Sequence, residues 1–150
     1  FIGMHAATDT YHGNADYLDM IGDEFATHGA QCTIEPLVQD EKHPATAQWE
    51  KGTKILEEVY IFKHNDRSKV RVLLYLDTNP NDGRPGANQP GDNLLAWCKA
   101  YGKGKVFYTA FGHRGDVWTN EVVRRHMLGG IRWALGLAKG ESTPGPLLRK

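Results

Sequence analysis

The sequence predicts an α/β sandwich, a β-sheet covered by helices, on three observations. VRVLLYL at 70–76 is a near-continuous apolar run of strand length, the pattern of a strand buried on both faces. LLAWCKAY and KVFYTAF flank Gly102-Lys103-Gly104 and read as a hairpin with that tripeptide at its tip. The segment 119–138 then places Val123, Met127, Ile131, Ala134 and Leu135 on one face at helical spacing. Strands interleaved with helices in this order point to a layered α/β domain.

Each element follows in turn. FIGM at 1–4 reads as a strand that starts with no approach, so the chain is expected to begin inside a domain. Tyr17, Leu18, Ile21 and Phe25 predict a helix over 14–27, with His28-Gly29 as its stop. QCTIEPLV predicts a strand over 31–38, moved toward the sheet edge by Pro36. His43-Pro44 opens a turn or short helix ending near Trp49, and KILEEVYIF predicts a strand over 54–62. Residues 78–93, with three prolines and three glycines, read as a long loop of the kind used as a lid or binding loop. Gly129-Gly130 inside the last helix points to close packing against the sheet, which would offset the weakened helix. The expected domain is 1–138, followed by an exposed or loosely docked tail over 139–150.

Composition narrows the partners. The 150 residues carry 18 Lys+Arg against 18 Asp+Glu, so no net field favours nucleic acid or an acidic membrane. Arg124-Arg125, the one basic cluster, reads as a solvated helix face. No apolar run approaches the ~20 residues of a bilayer span. Cys32 and Cys98 have neither zinc-knuckle nor disulfide-framework spacing, and are expected to be reduced and half-buried. A chain that begins inside a strand would hide a leader peptide, so the compartment stays open between cytoplasm, periplasm and secretion.

In α/β sheets, ligands collect beyond the carboxyl ends of parallel strands. FIGMH and VFYTAFGHRGD share one form: a strand, a histidine, a polar turn. If those strands are parallel neighbours, His5 and His113 converge, with Asp9 and His12 one short turn beyond His5. Imidazoles with a carboxylate suit acid–base catalysis near neutral pH and equally suit a divalent transition metal, zinc first, on His5, Asp9, His12 and His113. A purely structural role, hydrogen bonding across the strand ends, is the competing expectation. Tyr11, Tyr60, Trp97 and Trp118 are candidates to stack on a sugar ring, although Trp97 and Trp133 are expected in the core. Glu58, with Glu57, lies beside Tyr60 and is placed to orient a substrate hydroxyl or to form a strand-edge charge pair. His43 and His64 are expected at the surface, His126 as a packing or capping residue, and His28 at a helix C-terminus.

Together, GMHAATDTYHG, HPAT, EEVYIF, VRVLLYLD, AWCKAYGKGKVFYTAFGH and RRHMLGGIRWALG resemble the ThuA-like domain associated with trehalose utilisation, from residue 1 to about 137. The resemblance implies a flavodoxin-like three-layer sandwich with a mostly parallel sheet, similar to class I glutamine amidotransferases, here lacking the N-terminal βαβα portion. It places His5 where those amidotransferases carry the elbow cysteine, and His113 where they carry the later histidine. Without a thiol at the elbow, hydrolysis of glutamine by a cysteine nucleophile is not available.

The family's link to trehalose and related, often oxidised, sugars implies a carbohydrate-active hydrolase or sugar-processing protein acting on trehalose-like glycosides. In that reading His5, Asp9 and His113 are catalytic, while Tyr11, His12, Glu58, Tyr60 and Trp118 bind substrate. The alternative is a non-catalytic sugar-binding or accessory protein on a degraded amidotransferase scaffold. A glycosidase of ordinary type uses two carboxylates across the bond, and Asp9 with Glu58 or Asp116 is the candidate pair. The expected partner is a small carbohydrate, with neither nucleic acid nor membrane. Self-association through an unpaired flank of the first strand is also expected.

Overall fold

In the computed structural model, residues 1–146 are described. Strand β1 (Ile2–Met4) leads into a 3-10 turn (His5–Thr8) and helix α1 (Ala15–Ile21). Four short strands come next, β2 (Phe25–His28), β3 (Cys32–Ile34), β4 (Leu37–Val38) and β5 (Ile55–Glu57), and then β6 (Tyr60–Phe62). The long strands β7 (Arg71–Thr78), β8 (Pro90–Tyr101) and β9 (Gly104–Thr109) precede a 3-10 turn (Val117–Thr119) and helix α2 (Glu121–Ala134).

The main sheet has the order β1-β9-β8-β7-β4. Only β1 and β9 are parallel; β9-β8, β8-β7 and β7-β4 are antiparallel. The mostly parallel sheet implied by the resemblance is therefore corrected: these residues build a mixed α/β fold on a mostly antiparallel sheet. The reason is connection length. Parallel neighbours need a crossover of a dozen or more residues, whereas β8 and β9 are joined by a two-residue hairpin. A packed cluster lies on each face of the sheet. Phe107 and Tyr108 are consecutive on β9, so they face opposite sides of the sheet. Phe107 packs with Leu73, Leu95, Met127 and Trp133 on the α2 side. Tyr108 packs with Ile21, Phe62, Val72 and Trp97 on the α1 side.

Local chemistry explains where predicted elements stop. Asn14 caps α1 by accepting from the Tyr17 N–H, and Gly22, at φ 105°, ends it after seven residues. The expected helix over 14–27 therefore stops at Gly22, and only glycine fits there, since a side chain would meet Val70 Cγ1 at 2.7 Å and Trp97 Nε1 at 2.9 Å. Phe25 and His28 fall instead on β2, paired antiparallel with β6. The strand expected over 31–38 breaks at Pro36 into β3 and β4. That over 54–62 breaks at Glu58-Val59 into β5, paired with β3, and β6, paired with β2. Residues 90–93 of the expected loop belong to β8.

Helix α2 is shorter than the predicted 119–138, but its logic holds. Asn120 caps it, accepting from Val123 N–H. A side chain on Gly129 would strike the Pro44 carbonyl, and one on Gly130 the Phe107 ring. Trp97 and Trp133 are fully buried, and their indoles donate to Ile21 O at 2.7 Å and Gly140 O at 3.1 Å.

The tail is less loose than expected. Gly145 bridges the start of β7, accepting from Val72 N–H and donating to Val70 O. Residues 147–150 of the tail lie outside the described residues. Among the described residues no helix is long and apolar enough to cross a membrane.

Candidate functional site

The parallel pairing of β1 with β9 is the one that builds the site. β1 and β9 run in register as far as Met4 and Thr109, so His5 and Ala110 leave the sheet side by side. His5 then turns with φ 41°, in the left-handed region that costs a non-glycine residue on the order of 1–3 kcal/mol. The surroundings hold it there. Tyr108 Oη, fully buried, donates to the His5 carbonyl at 2.9 Å and is hydrogen-bonded to Thr8 Oγ1 at 2.9 Å. The ring is fixed by Nδ1–H donating to Ala110 O at 2.9 Å; a carbonyl can only accept, so Nδ1 carries the hydrogen and Nε2 faces the cleft.

Nε2 of His5 faces Glu58 Oε2 at 3.2 Å, and His113 Nδ1 approaches the same oxygen at 3.2 Å. The other carboxylate oxygen, Oε1, lies 3.2 Å from His28 Nδ1. One carboxylate is thus bracketed by three imidazoles, with the His5 and His113 ring centroids 5.3 Å apart. His5, Glu58 and His113 each offer a ligand atom, all within 4.8 Å of one another.

Glu58 owes its position to its neighbour. Glu57, buried, accepts from Gly112 N–H through Oε2 and from Glu58 N–H through Oε1, both at 2.8 Å. This pins the break between β5 and β6 to the turn that carries His113. Gly112 has φ 133°, and a Cβ there would sit 3.2 Å from the Trp118 ring and 3.7 Å from His5 Cβ. The site wall is this close on both sides of the turn.

Tyr60 is buried with its ring 4.0 Å from that of His5. Burial first, then the nearby Asp9 and Glu58 charges, push its phenol up to about 12. Trp118 is 46% exposed and anchored by its indole N–H donating to Gly112 O at 3.0 Å. A cavity of about 690 Å³ adjoins it, lined by Met4, Trp118, Arg124, Leu128 and Ile131; it shares Trp118 with the histidine cluster without containing the cluster.

Asp9 and His12 stand apart from that cluster. His12 bonds Asp9 Oδ1 at 3.0 Å through Nε2 and Glu24 Oε1 at 2.7 Å through Nδ1, and Glu24 in turn pairs with Lys63 at 2.8 Å. The Glu24 hydrogen bond, then that of Asp9, raises the His12 pKa above its ordinary value. Tyr11 is 67% exposed and leans on Tyr17, with ring centroids 5.1 Å apart. The second carboxylate of an ordinary glycosidase has few sources here, since Asp116 is held by Arg114 through both oxygens and Glu57 is used by backbone amides.

His28 and Glu24 are the residues that sequence reasoning underweighted. His28 was expected at a helix end, but β2 pairs with β6 in a register that sets it opposite Tyr60. The usable signal was Gly22, which stops the helix before Phe25. His43, expected at the surface, is buried against Trp133 with ring centroids 5.2 Å apart, because the 43–49 turn packs under α2. His64 is exposed as expected. His126 packs as expected, donating from Nδ1 to Ala45 O at 2.8 Å and bonding Thr109 Oγ1 at 3.0 Å. Burial pushes the Cys98 thiol up to about 12 and raises that of Cys32, so neither is poised as a nucleophile.

Two solved structures share this architecture. A ThuA-like protein from Bacteroides uniformis ATCC 8492 superposes with a TM-score of 0.65 at 20% identity, covering 89% of this chain and 57% of that one. A ThuA-like protein from Parabacteroides merdae ATCC 43184 gives 0.63 at 16% identity, covering 89% of this chain and 59% of that one. The chain therefore spans less than three fifths of the length of either. No curated protein matches. The family described as trehalose utilisation, ThuA, matches residues 1–134, a span that holds the His5 elbow, the Glu57-Glu58 break and the His113 turn alike. On that match the chain belongs to the ThuA family.

Proposed function

We propose that this chain carries the site of a carbohydrate-active hydrolase or related sugar-processing enzyme, acting on trehalose-like or oxidised glycosides. The observation that supports this most is the bracketing of Glu58 by His5, His113 and His28 at the end of the parallel β1–β9 pair. Imidazoles and carboxylates are the usual acid, base and ligand groups of hydrolases, and here they share one end of the sheet. His5, set on a strained turn and oriented by Ala110, is the residue whose Nε2 reaches the cleft. His113, partly exposed, lies where a substrate can reach it.

Sugar recognition draws on different groups. Trp118 and Tyr11 present exposed aromatic faces, the surfaces on which the apolar face of a pyranose stacks. Asp9 and His12, tied together at the rim, supply an acceptor and a donor for sugar hydroxyls, and Tyr60 backs the His5 ring. The adjoining 690 Å³ cavity is within the size range of small-molecule sites and accommodates a sugar ring beyond Trp118.

The test is turnover of a panel of α-linked disaccharides and their keto-oxidised derivatives, followed by chromatography of the released sugars. Wild-type chain is expected to convert at least one class. His5→Ala and Glu58→Gln are each expected to lose on the order of 10²–10⁴-fold in kcat/KM, the usual contribution of a positioned proton-transfer group. Undiminished turnover by His5→Ala would overturn the reading.

A further inference from the structure

We infer that His5 Nε2, His113 Nδ1 and Glu58 form a three-ligand site for a divalent transition-metal ion, with His28 holding Glu58 from behind. Distance is the first argument. A charge-assisted N–H···O bond between an imidazole and a carboxylate is about 2.7–2.9 Å long. The two imidazole–carboxylate contacts of His12 in this same molecule are 2.7 and 3.0 Å long. The contacts from His5 and His113 to Glu58 are both 3.2 Å instead. Zinc binds nitrogen and oxygen at about 2.0–2.2 Å, which puts neighbouring tetrahedral ligand atoms about 3.3–3.6 Å apart. With all three ligand atoms within 4.8 Å of one another, the cluster has room for an ion between them.

Tautomer is the second argument. Because Nδ1–H of His5 donates to Ala110 O, neutral His5 turns a lone pair from Nε2 toward a carboxylate oxygen. Two acceptors facing each other repel, and a cation between them removes the repulsion. A ligating histidine whose other ring nitrogen donates to a backbone carbonyl is also the arrangement that fixes metal ligands in place. His28 holds the carboxylate from behind by a different arrangement: its Nδ1, 3.0 Å from Gly29 O, carries a hydrogen and lies 3.2 Å from Glu58 Oε1 with that same N–H.

Donor chemistry is the third argument. Two imidazoles and one carboxylate suit zinc and its first-row neighbours, and three protein ligands leave a position for water or a substrate oxygen. The ligand set differs from the one expected from spacing, since Glu58 enters while Asp9 and His12 bond each other. An ion here would act as a Lewis acid toward a sugar oxygen or a bound water. That use rests on the proposed function, whereas binding of the ion itself can be measured without any turnover.

The test is a titration of chelator-treated, dialysed chain with Co(II), read by visible absorption, and with Zn(II), read by calorimetry and elemental analysis. One equivalent of either ion per chain is expected, zinc displacing cobalt and its four-coordinate colour. His5→Ala and the near-isosteric Glu58→Gln are expected to abolish stoichiometric binding. His28→Ala is expected to weaken it about 10–100-fold, as removal of an outer partner does. The Asp9→Asn/His12→Ala double variant is expected to bind as wild type does. Zinc should raise the melting temperature of wild type and leave that of Glu58→Gln unchanged, which separates lost ligation from lost folding. Absence of a stoichiometric ion in wild type would overturn the assignment. So would full binding in Glu58→Gln, or loss of binding in the Asp9→Asn/His12→Ala variant. A chain that binds zinc yet converts no sugar would leave the metal site standing and sink the proposed activity.

Discussion

His43 and His126 show how far burial sets the behaviour of a residue. Both are almost fully buried, and desolvation pushes each imidazole down to about 4. The unfolded chain takes up these protons as pH falls through the ordinary histidine value near 6.5, while the native state refuses them until about 4. Their contribution to stability is therefore intact above pH 6.5 and is lost between 6.5 and 4. At 1.36 kcal/mol per pH unit, the loss is about 3 kcal/mol for each across that window. Urea midpoints measured from pH 7 to 4.5 should fall accordingly, and His126→Gln should flatten the slope. A midpoint independent of pH over that range would contradict the prediction. His12 is the opposite case: its two carboxylate neighbours favour the charged ring, and it sits at the rim where titration costs the fold little.

At the scale of an element, α2 shows packing overruling propensity. Two glycines in mid-helix each cost about 1 kcal/mol relative to alanine. They persist because the helix lies directly on β9 and on the 43–49 turn, where a Cβ at Gly129 would strike the Pro44 backbone. Gly129→Ala should therefore destabilise the chain by a net of up to about 2 kcal/mol, an overpacking cost of about 1–3 kcal/mol set against a propensity gain of about 1 kcal/mol. Gly115→Ala is the control, since a Cβ there meets nothing within 4 Å and should change stability by no more than about 0.5 kcal/mol. Thermal melts of the two variants check the contrast; equal shifts would refute it. The β2–β6 ribbon is the element that matters most for the site, because its register sets His28 opposite Tyr60 and within reach of Glu58.

For the whole molecule, the sheet order leaves β1 paired on one side only among the described residues. Phe1, just before this strand, is 46% exposed. A row of unpaired N–H and C=O groups next to exposed apolar side chains recruits another strand, and a second copy of β1 supplies one. This chain is accordingly expected to self-associate at micromolar concentration through β1. Light scattering checks it, and a monodisperse, cooperatively melting monomer would count against it. Substituting Ile2 with proline, which cannot donate to a ladder, should shift the population toward monomer.

Taken alone, the sequence determined the central strands, the hairpin at Gly102–Gly104, the amphipathic last helix and the two strand-end histidines. These signals are local: apolar runs, a turn tripeptide and a helical period are written in neighbouring residues, and His5 and His113 follow directly from the strands that carry them. Family membership was legible for the same reason, as a string of short motifs in order. Only the tertiary structure decided the rest. The antiparallel character of the sheet depends on which strands meet, and the breaks at Gly22, Pro36 and Glu58 depend on what lies against each. Glu58, already a candidate, met His5, His113 and His28 because β5, β6 and β2 converge from separate parts of the chain, while Asp9 and His12, close in sequence to His5, bonded each other and Glu24. Spacing along a chain says which side chains leave one turn together; long-range register says which of them meet, and a cluster whose ligand atoms must come within a few ångströms depends on register.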